Sequence, residues 1–188
     1  MSIQNILNHL PKYAHNISKN IEEIFFQCSS TLKKDQIFGI VLTAGYALKD
    51  ECLLNYIRPE AKQYLDSHKA NACKIAISTV SMASTYHNFI HNIDDSKIQK
   101  ISSYLSLDNL SNHTIDEKDF LIYCFVASTV NECKYYINKY ITSLKQHHIT
   151  SETIHDITKI VSVIKAAGDV LAIERMRSYD FVVREESF

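Results

Sequence analysis

Residues 67–91 read SHKANACKIAISTVSMASTYHNFIH. Apolar side chains recur there through Ala70, Cys73, Ile77, Val80, Ala83, Tyr86 and Ile90 at three- and four-residue steps, with no breaker before His91. The run predicts one long, central helix opened by Ser67. Working outward, the same period continues on both sides. Upstream, Ile3, Ile6, Leu7 and Leu10 form a stripe that Pro11 kinks or divides from Tyr13, Ile17, Ile21, Ile24, Phe25 and Cys28. Asp35 is placed to cap a helix carrying Phe38, Val41, Leu42 and Leu48, and Asp50 to cap the next, which carries Leu53, Leu54, Ile57, Ala61 and Leu65 with Pro59 as its weak point. Downstream, the span 94–114 is rich in Ser, Asn and Asp around Ile98, Ile101, Leu105 and Leu107, which predicts a short helix between loops. Asp116 then starts a helix with Phe120, Leu121, Cys124, Phe125 and Ala127. Asn131-Glu132 bends the chain before Cys133, Tyr136, Ile137, Tyr140, Ile141 and Leu144, and a turn at His147-His148 leads to a last long helix capped by Thr150 or Ser151 and ending near Ser178.

Composition agrees with an all-α fold. The 188 residues include only three Gly and two Pro, too few for the reversals that sheets require. The length suits one domain, taken as residues 1–178, with a tail at 179–188. Lys and Arg number 20 against 21 Asp and Glu, so no basic footprint points to nucleic acid or an anionic membrane. No run approaches the ~18 apolar residues of a membrane span, and the start of the chain lacks the apolar core of a secretory signal. Five scattered cysteines, without a C-x-x-C, do not form a disulfide framework. A reducing cytoplasm is expected, and the sequons at Asn16, Asn109 and Asn112 are then chance matches.

Three constellations could carry chemistry. His87 and His91 stand four apart on one helix, with Asp94 or Asp95 as an oxygen donor; without an H-E-x-x-H frame they read as a solvated or interface pair, and no metal is implied. No G-x-S-x-G elbow or phosphate-cradling glycine loop exists, so neither serine chemistry nor a nucleotide cofactor is indicated. The third is Cys133. If a helix begins there, its free N–H groups and Lys134 favour a thiolate; Tyr136 and Tyr140 share its face, and the competing reading is a small buried hydrophobe among tyrosines, which the residues by themselves favour.

At this face the sequence resembles the alkyl hydroperoxidase D (AhpD) family of the carboxymuconolactone decarboxylase superfamily. The resemblance runs almost end to end: Met1-Ser2-Ile3 with Leu10-Pro11-Lys12-Tyr13-Ala14, then Met82-Ala83-Ser84-Thr85-Tyr86-His87, then Asp119-Phe120 through Asn131-Glu132-Cys133, and finally Ala166 through Glu174. It implies an all-α homotrimer that reduces alkyl hydroperoxides weakly and regenerates an AhpC-type peroxiredoxin, drawing electrons from a dihydrolipoamide-linked NADH system. Its members carry a Glu and then N-G-C-x-x-C-x-x-x-H, in which two thiols cycle to a disulfide while Glu and His move protons. Carried over by position, the first Cys falls on Cys133, the Glu on Leu121, the Gly on Glu132, the second Cys on Tyr136 and the His on Tyr140.

The departures remove chemistry. A disulfide needs two sulfurs with Cβ atoms about 4 Å apart, and Tyr136 has none. Cys124, nine residues away, is ~13 Å off along a continuous helix. Leu121 cannot ionise and a phenol is a poor proton carrier at neutral pH, which also counts against the decarboxylase branch. The expectation is an AhpD-like antioxidant protein with a degenerate site, retaining at most the peroxiredoxin-docking surface. The rivals are a single-thiol oxidoreductase working through a Cys133 sulfenic acid and a non-catalytic interaction module.

Overall fold

The computed structural model describes residues 2–27, 31–106 and 113–180. Cys28, Leu107, Asn109, Asn112 and the tail from 181 onward lie outside the described residues. Among the described residues every regular element is helical, in the order α1 (Ser2–His9), α2 (His15–Glu22), α3 (Lys34–Leu48), α4 (Glu51–Ala61), α5 (Ser67–Asn92), α6 (Ser96–Gln99), α7 (Glu117–Val130), α8 (Lys134–Gln146) and α9 (Ser151–Asp180). Pro11 divides α1 from a 3-10 turn at Lys12–Ala14, and α2 runs into a π-helical turn at Glu23–Gln27. Pro59 sits in the last turns of α4 without ending it early, and α9 runs just past the end expected near Ser178.

The helix starts follow the sequence where a side chain can reach back to an open N–H. Asp50 accepts from Leu53 N at 3.0 Å, Asp95 from Lys97 N at 2.8 Å, Asp116 from Lys118 N at 2.9 Å, and Thr150 Oγ1 from Thr153 N at 3.2 Å. Asp35 departs from the expectation. Lys33 precedes α3, its N–H donating to Gln36 Oε1 at 3.1 Å, while Asp35 lies in the first turn and accepts from Gln36 N at 3.0 Å. Its carboxylate is engaged by Lys69, whose Nζ also meets Asp119 Oδ2 at 2.8 Å. That contact draws Asp35 out of a capping position.

The most enclosed element is α7 rather than α5. Every residue from Asp119 to Ser128 is buried, as a helix apolar on all sides must be. α3, α5, α8 and α9 pack around it. α5 and α7 run in parallel: Lys69 meets Asp119 in their first turns, and one turn later Cys73 lies beside Tyr123. Tyr123 presses against the α3 backbone at Gly39, where a Cβ would overlap its phenol, so a side chain is excluded there. At the other end of this pair the chain leaves α7, turns and enters α8.

Candidate functional site

The junction of α7 and α8 is made by backbone hydrogen bonds. Glu132 N donates to Thr129 O at 3.1 Å and Cys133 N to Ser128 O at 3.2 Å, the two bonds that close a helix when the next residue turns left-handed. Glu132 is that residue, at φ 54°. Glycine usually occupies such a place because it lacks the Cβ that crowds the carbonyl. The reversal delivers Cys133, at φ −86° and ψ 97°, as the residue before α8, and its carbonyl accepts from Ile137 N at 2.9 Å. A helix does begin at this thiol.

Exposure is what the reactive reading needs and does not get. Cys133 is 1% exposed, and its Sγ donates to Asn88 Oδ1 of α5 at 3.3 Å. Cys52, Cys73, Cys124 and Cys133 are all free thiols among the described residues. Cys124 is buried on α7 and faces the phenol of Tyr140; burial first raises both groups, pushing the thiol up to about 12, with the partner's proximity a lesser influence. Tyr140 is thus turned to Cys124, and Leu121 is buried in α7. Neither is an ionised group at neutral pH.

Tyr136 is the carried-over position that stays beside Cys133. Its phenol is raised by burial and then by the neighbouring Tyr135 and Cys133. Its ring stands edge-on to Tyr135 at 5.0 Å and to His87 at 5.9 Å, and 6.2 Å from Tyr140. Lys139 Nζ lies 5.5 Å from its centroid. His87 stacks between His91 at 3.8 Å and Tyr135 at 4.1 Å, and its pKa is lowered by burial first and by His91 second. Two imidazoles lying face to face do not converge on one point, and Asp95 is occupied as the α6 cap. The pair therefore builds an aromatic stack in place of the metal site that their spacing allows. His148 is exposed in the turn after α8.

Beside this stack is a hollow of about 200 Å3, walled by His87, Ile90, Tyr135 and Tyr136 together with Leu105 from the segment after α6. Asn88 is the residue that sequence reasoning missed. Nothing in a local pattern marks an amide on a helix flank as a thiol's partner, and only its place next to His87 pointed toward it. The arrangement encloses the Cys133 thiol and can admit a small apolar or aromatic group next to it.

Among the described residues no helix is long and apolar enough to cross a membrane. No family model matches the chain. It is 29% identical over 173 residues to the alkyl hydroperoxide reductase AhpD of Coxiella burnetii, an alignment that covers 92% of this chain and 98% of that protein. It is also 29% identical over 174 residues to the AhpD of Rhodospirillum centenum, covering 93% and 92% of the two chains. With the AhpD of Streptomyces coelicolor the identity is 26% over 174 residues, covering 93% and 97%. Agreement over almost the full length of each partner, with only helices among the regular elements of the described residues, makes this chain similar to the AhpD proteins from end to end.

Proposed function

We propose that this chain is an AhpD-type protein of hydroperoxide defence in which the dithiol cycle has been lost, so that turnover of alkyl hydroperoxides is absent or strongly impaired. The observation that carries the reading is the state of Cys133: 1% exposed, its hydrogen held by Asn88, with a phenol at the position where a relay needs its second sulfur. A thiol buried out of reach of solvent is a poor nucleophile, and the same burial counts against a single-thiol peroxidase. By resemblance the protein works in the cytoplasm as a homo-oligomer, a trimer, and retains a surface for an AhpC-type peroxiredoxin.

The test is hydroperoxide consumption by the purified protein, coupled to NADH through dihydrolipoamide. The expected rate equals that of a Cys133→Ser variant. A wild-type rate well above the variant's overturns the reading. So does labelling of Cys133 by a sulfenic-acid probe after peroxide treatment, which would restore the single-thiol alternative.

A further inference from the structure

The hollow over His87 is built from rings. Tyr86, His87, His91, Tyr135 and Tyr136 all line it, and the remaining wall is Ala, Ile, Leu and Ser, with no Asp, Glu, Lys or Arg among the described residues that face it. The ring of Tyr135 lies 19° from the plane of His87, whereas Tyr136 stands at 90° to Tyr135 and 75° to His87. The rings thus form a corner. A flat ring laid parallel to Tyr135 in that corner is perpendicular to Tyr136, and these are the offset-stacked and edge-to-face arrangements that aromatic pairs prefer. Tyr135 is still 51% exposed, so an occupant removes apolar surface from water there.

Volume and charge select the occupant. About 150 Å3 is enough for one benzene ring and drug-sized ligands take about 300 Å3 or more, so the 200 Å3 here corresponds to a single ring. A cation would find no carboxylate in the wall, and Lys139 Nζ already stands 5.5 Å from the Tyr136 centroid. An anion would find no Lys or Arg there. One polar contact is also set. His91 Nδ1 lies 3.0 Å from His87 O, and a carbonyl can only accept, so Nδ1 holds the proton and Nε2 of the neutral ring is left as an acceptor. A hydroxyl on the ligand can donate to it.

We propose that this hollow binds a neutral single-ring aromatic molecule, a phenol, lying in the corner of Tyr135 and Tyr136 and donating its hydroxyl to His91 Nε2. The inference rests on the reading above, of a site without a dithiol cycle, and gives that site a ligand to hold. Binding is read without peroxide. A failure to bind therefore leaves the rate comparison with Cys133→Ser untouched, and a reactive Cys133 leaves the binding result untouched.

Titration of the full chain with phenol up to about 10 mM, followed by calorimetry and by the imidazole NMR signals of His87 and His91, tests it. Saturable binding is expected, with Kd at or below about 1 mM and both imidazole signals shifted. Ser103→Trp plugs the hollow from an exposed position and is expected to weaken binding at least about ten-fold, with helical circular dichroism and thermal unfolding retained. His91→Phe keeps a ring in the stack but removes the acceptor, so phenol's advantage over toluene, about three- to ten-fold in the wild type, disappears. No saturable binding at the highest concentration overturns the proposal, as does binding that Ser103→Trp leaves intact, because the ligand then sits elsewhere. Benzoate or tetramethylammonium bound more tightly than phenol assigns the hollow to a charged ligand and also overturns it. Equal affinity for phenol and toluene in the wild type overturns the bond assigned to His91.

Discussion

The two ends of the parallel α5–α7 pair are built from opposite chemistry. At the N-terminal end, Lys69 joins Asp35 and Asp119, and Gln36 Nε2 donates to Asp119 Oδ1 at 2.9 Å, so the first turns of α3, α5 and α7 are tied by charge. At the C-terminal end, Cys133, Tyr136, His87 and Tyr135 meet by ring contacts and one weak thiol hydrogen bond. The first end fixes how three helices are placed. The second is delivered by a backbone turn whose bonds involve no functional side chain. Residues at the thiol end can therefore be exchanged while the scaffold stays, as the similarity to AhpD proteins over almost the whole chain requires if the proposed loss of the dithiol site is correct.

The sharpest way to break the comparison is to remove the charge that ties the first end. Lys69→Met leaves Asp119, 6% exposed, with a carboxylate held only by Gln36. Losing one partner of a largely desolvated pair costs about 3 kcal/mol, or roughly 10 °C in Tm for a chain of this size. Circular dichroism melts measure it. Tyr136→Ala at the other end should cost less, since its ring is only half-buried. Equal losses at the two ends would mean that the thiol end also holds up the fold.

Much of this scaffold was legible in the sequence, and the reasons it stopped being legible are physical. Helical spacing and the caps Asp50, Asp116 and Thr150 depend on residues a few positions apart, so local order reveals them. The first turn of α8 at Cys133 was legible for the same reason. Lys69 with Asp35 and Asp119 was not, because the pairing spans 34 and 50 residues and any exposed-looking lysine could have filled the role. Cys133 with Asn88, and Tyr140 with Cys124, are likewise choices made by packing. The left-handed helix ends were hidden because the chain uses Lys49, Glu132 and His148 where glycine would have marked them, and among the described residues none of its glycines has positive φ.

Acidity separates the ends with a smaller effect. Burial alone would raise Asp35, but the Lys69 hydrogen bond and charge, with the Gln36 N–H, bring it net below its ordinary value. Its contribution is thus present above the unfolded pKa near ~3.9 and is lost as pH falls through the lower folded value. Burial alone would lower Lys69, but Asp119 and Asp35 bring it net above 10.5, so its contribution persists until pH rises through that folded value. The contributions of Asp35 and Lys69 are consequently constant between about pH 4 and 10. His87 runs in the same direction as Asp35 but at higher pH: with its pKa lowered from 6.5, the folded state resists protonation, and stability falls as pH drops from about 6.5 toward the folded value. Melts from pH 8 to 5 should show a modest loss that His87→Phe reduces and Lys69→Met does not. A loss unchanged by His87→Phe would place the acid-sensitive group elsewhere.

The smallest predicted effect sharpens the comparison most closely, because α8 has the same turn at both ends. At its start Glu132 has φ 54°, with Cys133 N bonded to Ser128 O at 3.2 Å; at its finish His148 has φ 62°, with Ile149 N bonded to Leu144 O at 3.0 Å. A side chain with a Cβ costs about 1 kcal/mol in this conformation, while glycine gives back part of that through the greater freedom of the unfolded chain. Glu132→Gly and His148→Gly should therefore each stabilise the protein by about 0.5–1 kcal/mol, read as a rise in the urea midpoint at constant slope. Only the first turn carries a thiol. If that end is free of strain that serves Cys133, Glu132→Gly raises stability and leaves Cys133 as slow to alkylate as before; faster alkylation in Glu132→Gly, with none in His148→Gly, would mean that the glutamate itself helps to keep the thiol closed.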